Sequence, residues 1–181
     1  AYIGWSQGGV GPILSHFDDI TVKLTNDAFD ASIAIYPYCG FTLDEKAETS
    51  TPLLMITGSS DDLTPEQSCK NIYKKFKRDE EKIELISIPK ARHGFDNPFL
   101  FFGITFDNLP SLNIISDKCT LTISEEGKIM NMLGDIIHGP MESEKLLLSC
   151  STPGVRVKYS GTATDITAEA IVSFLERRFD N

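Results

Sequence analysis

Near its start the chain runs from Tyr2-Ile3 through Gly4-Trp5-Ser6-Gln7-Gly8-Gly9 into Val10, Ile13, Leu14 and Phe17 at helical spacing. Strand end, tight turn and helix start are thereby compressed into one short segment. A serine on such a turn must take a strained backbone for its hydroxyl to stand clear of a sheet. Gly4 and Gly8, two residues to either side, let the helix pass close to the neighbouring strand without a side-chain clash. This pattern fits a strand whose chain turns straight back as a helix over the sheet, and few folds other than α/β provide that.

The rest of the chain supports the same class. Ala31 to Tyr38 reads as a buried strand ending at Pro37-Tyr38-Cys39-Gly40, and Pro52 to Thr57 as a second one stopped by Gly58. Pro65 to Lys77 is an amphipathic helix with Thr64 as its N-cap and Cys69, Ile72, Tyr73 and Phe76 on one face. Lys82 to Ile88 is a third strand. Strands alternating with helices at this spacing imply right-handed crossovers and a parallel sheet. After His93 the pattern breaks, and residues of about 98–153 read as an irregular excursion with short elements at Thr120 to Ser124 and Ile129 to Ile137. The chain recovers at Val155 to Tyr159 and closes with a helix over about Ala163 to Phe179, whose Ile166, Ala170, Ile171, Phe174 and Leu175 are expected to face a sheet. Residues 1–181 are thus read as a single domain.

Composition narrows the function. With 17 Lys and Arg against 26 Asp and Glu the formal net charge is -9, which argues against a nucleic-acid binder and against a polybasic membrane contact. No apolar run approaches the roughly 20 residues of a membrane-spanning helix. The four cysteines, Cys39, Cys69, Cys119 and Cys150, lie far apart with no CxxC pair, so neither a zinc knuckle nor a redox motif is expected. Isolated buried thiols are the default reading. Cys39 follows one candidate strand and Cys69 lies on the helix after the next, so the two could end up close, and a disulfide between them would suggest an oxidising compartment.

A nucleophilic serine needs a base and an orienting carboxylate, and both follow in the order Ser, Asp, His. Asp61 comes in Gly58-Ser59-Ser60-Asp61, directly after the second strand. His93 comes in Ala91-Arg92-His93-Gly94-Phe95, just past the third. Both fall at the carboxyl edge of the sheet that also carries Ser6, where open α/β sheets place their sites. Asp61 would hold the His93 tautomer that accepts the Ser6 proton, and the backbone N–H of Gln7, at the helix start, would face a developing oxyanion. Asp61 is preferred to Asp62, which reads as a loop or helix-start carboxylate. His93 is preferred to His16 and His138, which read as surface or capping histidines. Trp5 and Tyr38 read as packing residues, Arg92 as solvated, and Phe99, Phe101 and Phe102 as core ahead of an acyl pocket.

These residues resemble the dienelactone hydrolase family of the α/β-hydrolases. Gly4-Trp5-Ser6-Gln7-Gly8-Gly9, Leu54 to Pro65 and His93-Gly94-Phe95-Asp96 look like that family's nucleophile, acid and histidine segments. Tyr36 to Gly40 and the closing stretch Tyr159 to Phe179 are similar as well. The resemblance spans about residues 1–97 and 154–179. It implies the C-terminal portion of an α/β-hydrolase fold, a mostly parallel sheet flanked by helices. It also implies a hydrolase that cleaves small-molecule esters or lactones through an acyl-enzyme, with a Ser6, His93, Asp61 triad and without metal or organic cofactor. Many members use cysteine where this chain has Ser6, which looks more like the carboxylesterase members. The arginine that the family places four residues after the histidine is Asn97 here, which argues against dienelactone itself as substrate. Only a short polar connector precedes Pro52, so no helical cap domain is expected ahead of the catalytic acid.

Two alternatives accompany this reading. One is a serine peptidase-like hydrolase, which shares the elbow. The other is a catalytically incompetent fragment or interaction module. The fold draws its second oxyanion donor from a loop after an early strand, and the strands that would precede Ser6 are not among these residues. Loss of one such donor costs on the order of 100- to 1000-fold in rate, so the chain by itself is expected to be a poor enzyme. The expected partner is a small ester or lactone, with no nucleic acid and no membrane. Oligomeric state is left open, and the cytoplasm is favoured over the periplasm or secretion.

Overall fold

A computed structural model describes residues 1–18, 20–21, 29–43, 49–77, 82–107, 113–116, 119–124, 128–131 and 133–179. Within them, β1 (Tyr2–Trp5) runs through a 3-10 turn, Ser6–Gly9, into α1 (Val10–Leu14). Next come β2 (Ser32–Ile35), β3 (Phe41–Thr42), β4 (Leu53–Gly58), α2 (Glu66–Phe76) and β5 (Ile83–Ile88). The excursion supplies β6 (Ile104–Phe106), β7 (Ile114–Ile115), β8 (Leu121–Ile123), β9 (Ile129–Met130), α3 (Pro140–Ser149) and β10 (Ser151–Thr152). The chain then closes with β11 (Val155–Val157) and α4 (Gly161–Phe179).

The central sheet has the order β1-β2-β4-β5 and is parallel throughout, with Trp5 opposite Ile35 and Ile35 opposite Ile56. Parallel strands covered on both faces carry continuous apolar runs, and here the two faces separate by alternation. Ala34, Leu53 and Met55 point into a core closed by Ile13 of α1, by Phe17 just after it, and by Cys69, Ile72 and Phe76 of α2. Ile33, Ile35, Leu54 and Ile56 point into a second core closed by Phe95 and by Ala163 and Phe174 of α4. Each fully buried Ile, Leu or Phe in these layers contributes on the order of 1.5–3 kcal/mol relative to exposure. The result is the predicted α/β architecture, a parallel sheet between helical layers.

Several expectations need correction. Ile166 is 37% exposed, whereas Phe174 is buried and Ala170, Ile171 and Leu175 pack with it against the core, as expected. His16 is fully buried rather than a surface histidine. Its Nδ1 lies 2.5 Å from the Thr51 carbonyl oxygen, where the chain after α1 turns under the start of β4. His138 is exposed, with its backbone N–H donating to Glu142 at 2.7 Å.

All four cysteines are paired, Cys39 with Cys69 and Cys119 with Cys150, where isolated thiols were the default reading. The first bond ties the segment after β2 to α2. The second closes the excursion at the β7–β10 ribbon.

The excursion is less irregular than expected. β6 pairs antiparallel with β11, β7 with β10, and β8 lies between β3 and β9. Helix α3 within it was not foreseen. Part of the polar connector before β4, 44–48, lies outside the described residues. Among the described residues no helix is long and apolar enough to cross a membrane.

Candidate active site

Ser6 is the first residue after β1 and sits at φ 53°, a left-handed conformation that strains a non-glycine residue. The turn is tight enough to dictate its neighbours. A Cβ on Gly4 would lie 2.1 Å from the Gly8 carbonyl oxygen, and one on Gly9 would lie 2.7 Å from Pro37 Cβ. Gly8 meets nothing within 4 Å. The close approach attributed to Gly4 and Gly8 in the sequence therefore belongs to Gly4 and Gly9. The backbone N–H of Tyr38 donates to the Ser6 carbonyl at 3.2 Å and pins the turn to the segment after β2.

The three strand-end segments bring the predicted residues together. His93 Nε2 lies 2.9 Å from Ser6 Oγ, and His93 Nδ1 lies 2.8 Å from Asp61 Oδ2. Asp61 and His93 are both buried. Asp61 Oδ1 accepts the backbone N–H groups of Leu63 and Thr64, each at 2.9 Å, while Oδ2 accepts from Thr64 Oγ1 at 2.8 Å. These donors fix the plane of the carboxylate toward the imidazole. Gln7 occupies the second position of the 3-10 turn, directly after Ser6. Asp62 stands apart, engaged with Arg92 at 2.7 Å.

Asp96 was missed as a functional candidate, although it stands inside the quoted His93-Gly94-Phe95-Asp96 run. Its Oδ2 accepts from Trp5 Nε1 at 2.8 Å and its Oδ1 from the Tyr36 hydroxyl at 2.7 Å. Burial, followed by the adjacent Asp96 carboxylate, holds the Tyr36 phenol well above its ordinary pKa. The Tyr36 ring also packs edge-on against His93 with centroids 4.6 Å apart. Trp5, read as a packing residue, is 45% exposed and tied by its indole N–H. Tyr38 does pack, donating its hydroxyl to the Cys119 carbonyl at 2.9 Å, and burial pushes its phenol up to about 12. Arg92, read as solvated, carries the ion pair to Asp62. Phe99 and Phe102 are 93% and 89% exposed, so the phenylalanine cluster is not core. The 3-10 turn that carries Phe99, Pro98–Leu100, buries none of its residues. Among the described residues no three His, Cys, Asp or Glu side chains are grouped to hold a metal ion.

The chain is similar to several solved structures. The dienelactone hydrolase-like promiscuous phosphotriesterase from metagenomic libraries aligns over 97% of this chain and 51% of its own, at 15% identity and a TM-score of 0.49. An α/β serine hydrolase without lid from Xanthomonas campestris aligns over 50% of this chain and 37% of its own, at 20% identity and 0.37. An α/β-hydrolase enzyme from a Medee basin deep-sea metagenome library covers 52% and 40%, at 18% identity and 0.39. This chain therefore spans about half or less of the length of each. No curated protein matches it significantly. A family model described as the dienelactone hydrolase family matches residues 19–99, the stretch holding β2, β4, α2, β5, Asp61 and His93.

Proposed function

We infer that the chain carries the catalytic centre of a serine hydrolase that cleaves small-molecule esters or lactones through an acyl-enzyme. The observation that supports this reading is the continuous relay from Ser6 Oγ through both nitrogens of His93 to Asp61, built on a serine at positive φ. Ser6 Oγ attacks the carbonyl carbon while His93 Nε2 takes its proton. The collapsing intermediate expels the alkoxide, which receives that proton from His93. Water, deprotonated by the same nitrogen, then releases the acid and restores Ser6. Asp61 stays ionised throughout and stabilises the imidazolium. The Gln7 N–H is one donor to the oxyanion. Nucleophile, base and orienter are all side chains, so the reaction as written calls for no metal or organic cofactor.

The test is labelling by a fluorophosphonate probe, with Ser6→Ala as control, followed by turnover of short-chain p-nitrophenyl esters. Labelling lost in Ser6→Ala is the expected result. A folded chain that does not label would leave the catalytically incompetent reading in its place.

A further inference from the structure

Beside the histidine loop lies a cavity of about 300 Å³ lined by Lys90, Arg92, Arg156, Lys158, Tyr159 and Ser160. Four of these six residues are cationic, in a chain whose formal net charge is -9. Only Arg92 has a carboxylate partner, Asp62. Lys90, Arg156 and Lys158 form no ion pair among the described residues. Like charges facing one concavity repel each other, and an anion between them relieves that repulsion.

The walls are held in place by backbone bonds. Val155 and Val157 of β11 are buried, so strand alternation turns Arg156 outward. Lys158 N–H donates to the His93 carbonyl at 3.3 Å, Ser160 N–H to the Phe95 carbonyl at 2.8 Å, and Lys90 N–H to Ser59 Oγ at 2.9 Å. Lys90 keeps φ 60°, a conformation that glycine would adopt without strain. Ser160 also accepts from Ala163 N–H at 3.3 Å at the entry to the 19-residue helix α4, so the positive end of that helix dipole adds to the cations.

We propose that this cavity binds the phosphate group of a small phosphorylated molecule. One carboxylate is over-matched by three unneutralised cations, whereas a phosphate dianion offers oxygens for Arg156 to grip in pairs and for Lys90 and Lys158 to neutralise as point charges. The volume is at the low end of the range of small-ligand sites, about 300–1,000 Å³, and suits a compact metabolite. The site is independent of the hydrolase reading, since none of the six lining residues belongs to the Ser6, His93, Asp61 relay. Its contact with the His93 carbonyl through Lys158 places the ligand against the backbone of the histidine loop.

Isothermal titration of the protein with inorganic phosphate and with pyrophosphate, at constant ionic strength, tests the proposal. Saturable binding is expected, weakened at least tenfold in Arg156→Ala and in Lys158→Ala. Lys90→Ala serves as a third variant on a separate element. Tighter binding of pyrophosphate points to a diphosphate ligand and equal binding to a monophosphate, and either supports the site. Affinity unchanged in all three variants, heats reproduced by sodium chloride, or equal binding of tricarballylate overturns it.

Discussion

Replacing Gly4 and Gly8 separately by alanine distinguishes the structure from the bare glycine pattern. An alanine Cβ at position 4 would stand 2.1 Å from the Gly8 carbonyl oxygen, 2.7 Å from its carbon and 3.1 Å from the Gly9 nitrogen. All three are backbone atoms, so relief requires the 3-10 turn to move by about an ångström, more than a flexible side chain would need. Overpacking of a well-packed site costs about 1–3 kcal/mol, and a backbone clash of this depth belongs at or above the top of that range. For a domain of this size each kcal/mol shifts Tm by about 2–4 °C, so Gly4→Ala should melt about 6–12 °C below the parent. At position 8 a Cβ meets nothing within 4 Å. The backbone there lies outside the left-handed region, so Gly8→Ala should be neutral or stabilising by about 0.4–1 kcal/mol through the unfolded chain. Thermal unfolding followed by circular dichroism, with urea titrations for ΔG, measures both. Equal losses for the two variants would refute the reasoning, because the flanking glycines would then act through some requirement other than the close approach at Gly4.

Three further outcomes are expected. Asp61→Asn removes the negative charge that holds the His93 tautomer and should lower probe labelling of Ser6 by about 10⁴-fold while leaving the far-ultraviolet spectrum unchanged, the loss seen when a triad aspartate is neutralised. A phenol whose folded pKa lies above its unfolded value stabilises the fold while protonated in both states and withdraws that contribution as the pH rises. Stability in urea should therefore fall between about pH 10 and about pH 12, with Tyr36 acting in the same direction, and Tyr38→Phe should flatten that fall. Reduction of the Cys39–Cys69 bond, which spans a separation of 30 residues, should cost about 3.5 kcal/mol by loop-closure entropy, read as a lower urea midpoint in reducing agent.

The parallel sheet and the three catalytic candidates were legible because their signals are local. A continuous apolar run such as Pro52 to Thr57 can be satisfied only by burial on both faces, and Gly58 marks its end within the run itself. Asp61 and His93 then follow at fixed short distances from strand ends, and strand ends converge in a parallel sheet. What stayed hidden depends on pairings distant in sequence. β6 and β11 meet across the whole excursion, and β3 joins β8 about eighty residues later. Two- and three-residue strands carry too few alternations to reveal their faces. The same holds for Phe99 and Phe102: an aromatic cluster implies burial, and only the tertiary course of the chain leaves these rings in solvent. His16 is the converse, a polar residue whose burial depends on where the chain passes under β4.

Tyr36 shows how these layers act on one another. It is the first residue after β2, beside Ser6 in the sheet, and it too adopts positive φ, at 36°. Its amide N–H remains in the ladder, donating to the Ile56 carbonyl at 2.7 Å, so the strain falls at the point where the strand releases its chain. From there its three parts reach three partners. The carbonyl accepts from Thr64 Oγ1 at 3.1 Å, the hydroxyl donates to Asp96, and the ring edge meets His93. Thr64 in turn supports Asp61, and Asp96 holds Trp5, the residue before Ser6. One strained residue thus braces the Asp61, His93 and Ser6 segments together, which a pattern of three spaced motifs does not reveal. A strain of roughly 1–3 kcal/mol at such a position persists only where the surrounding contacts over-determine it, and at Tyr36 those contacts are the supports of the candidate triad.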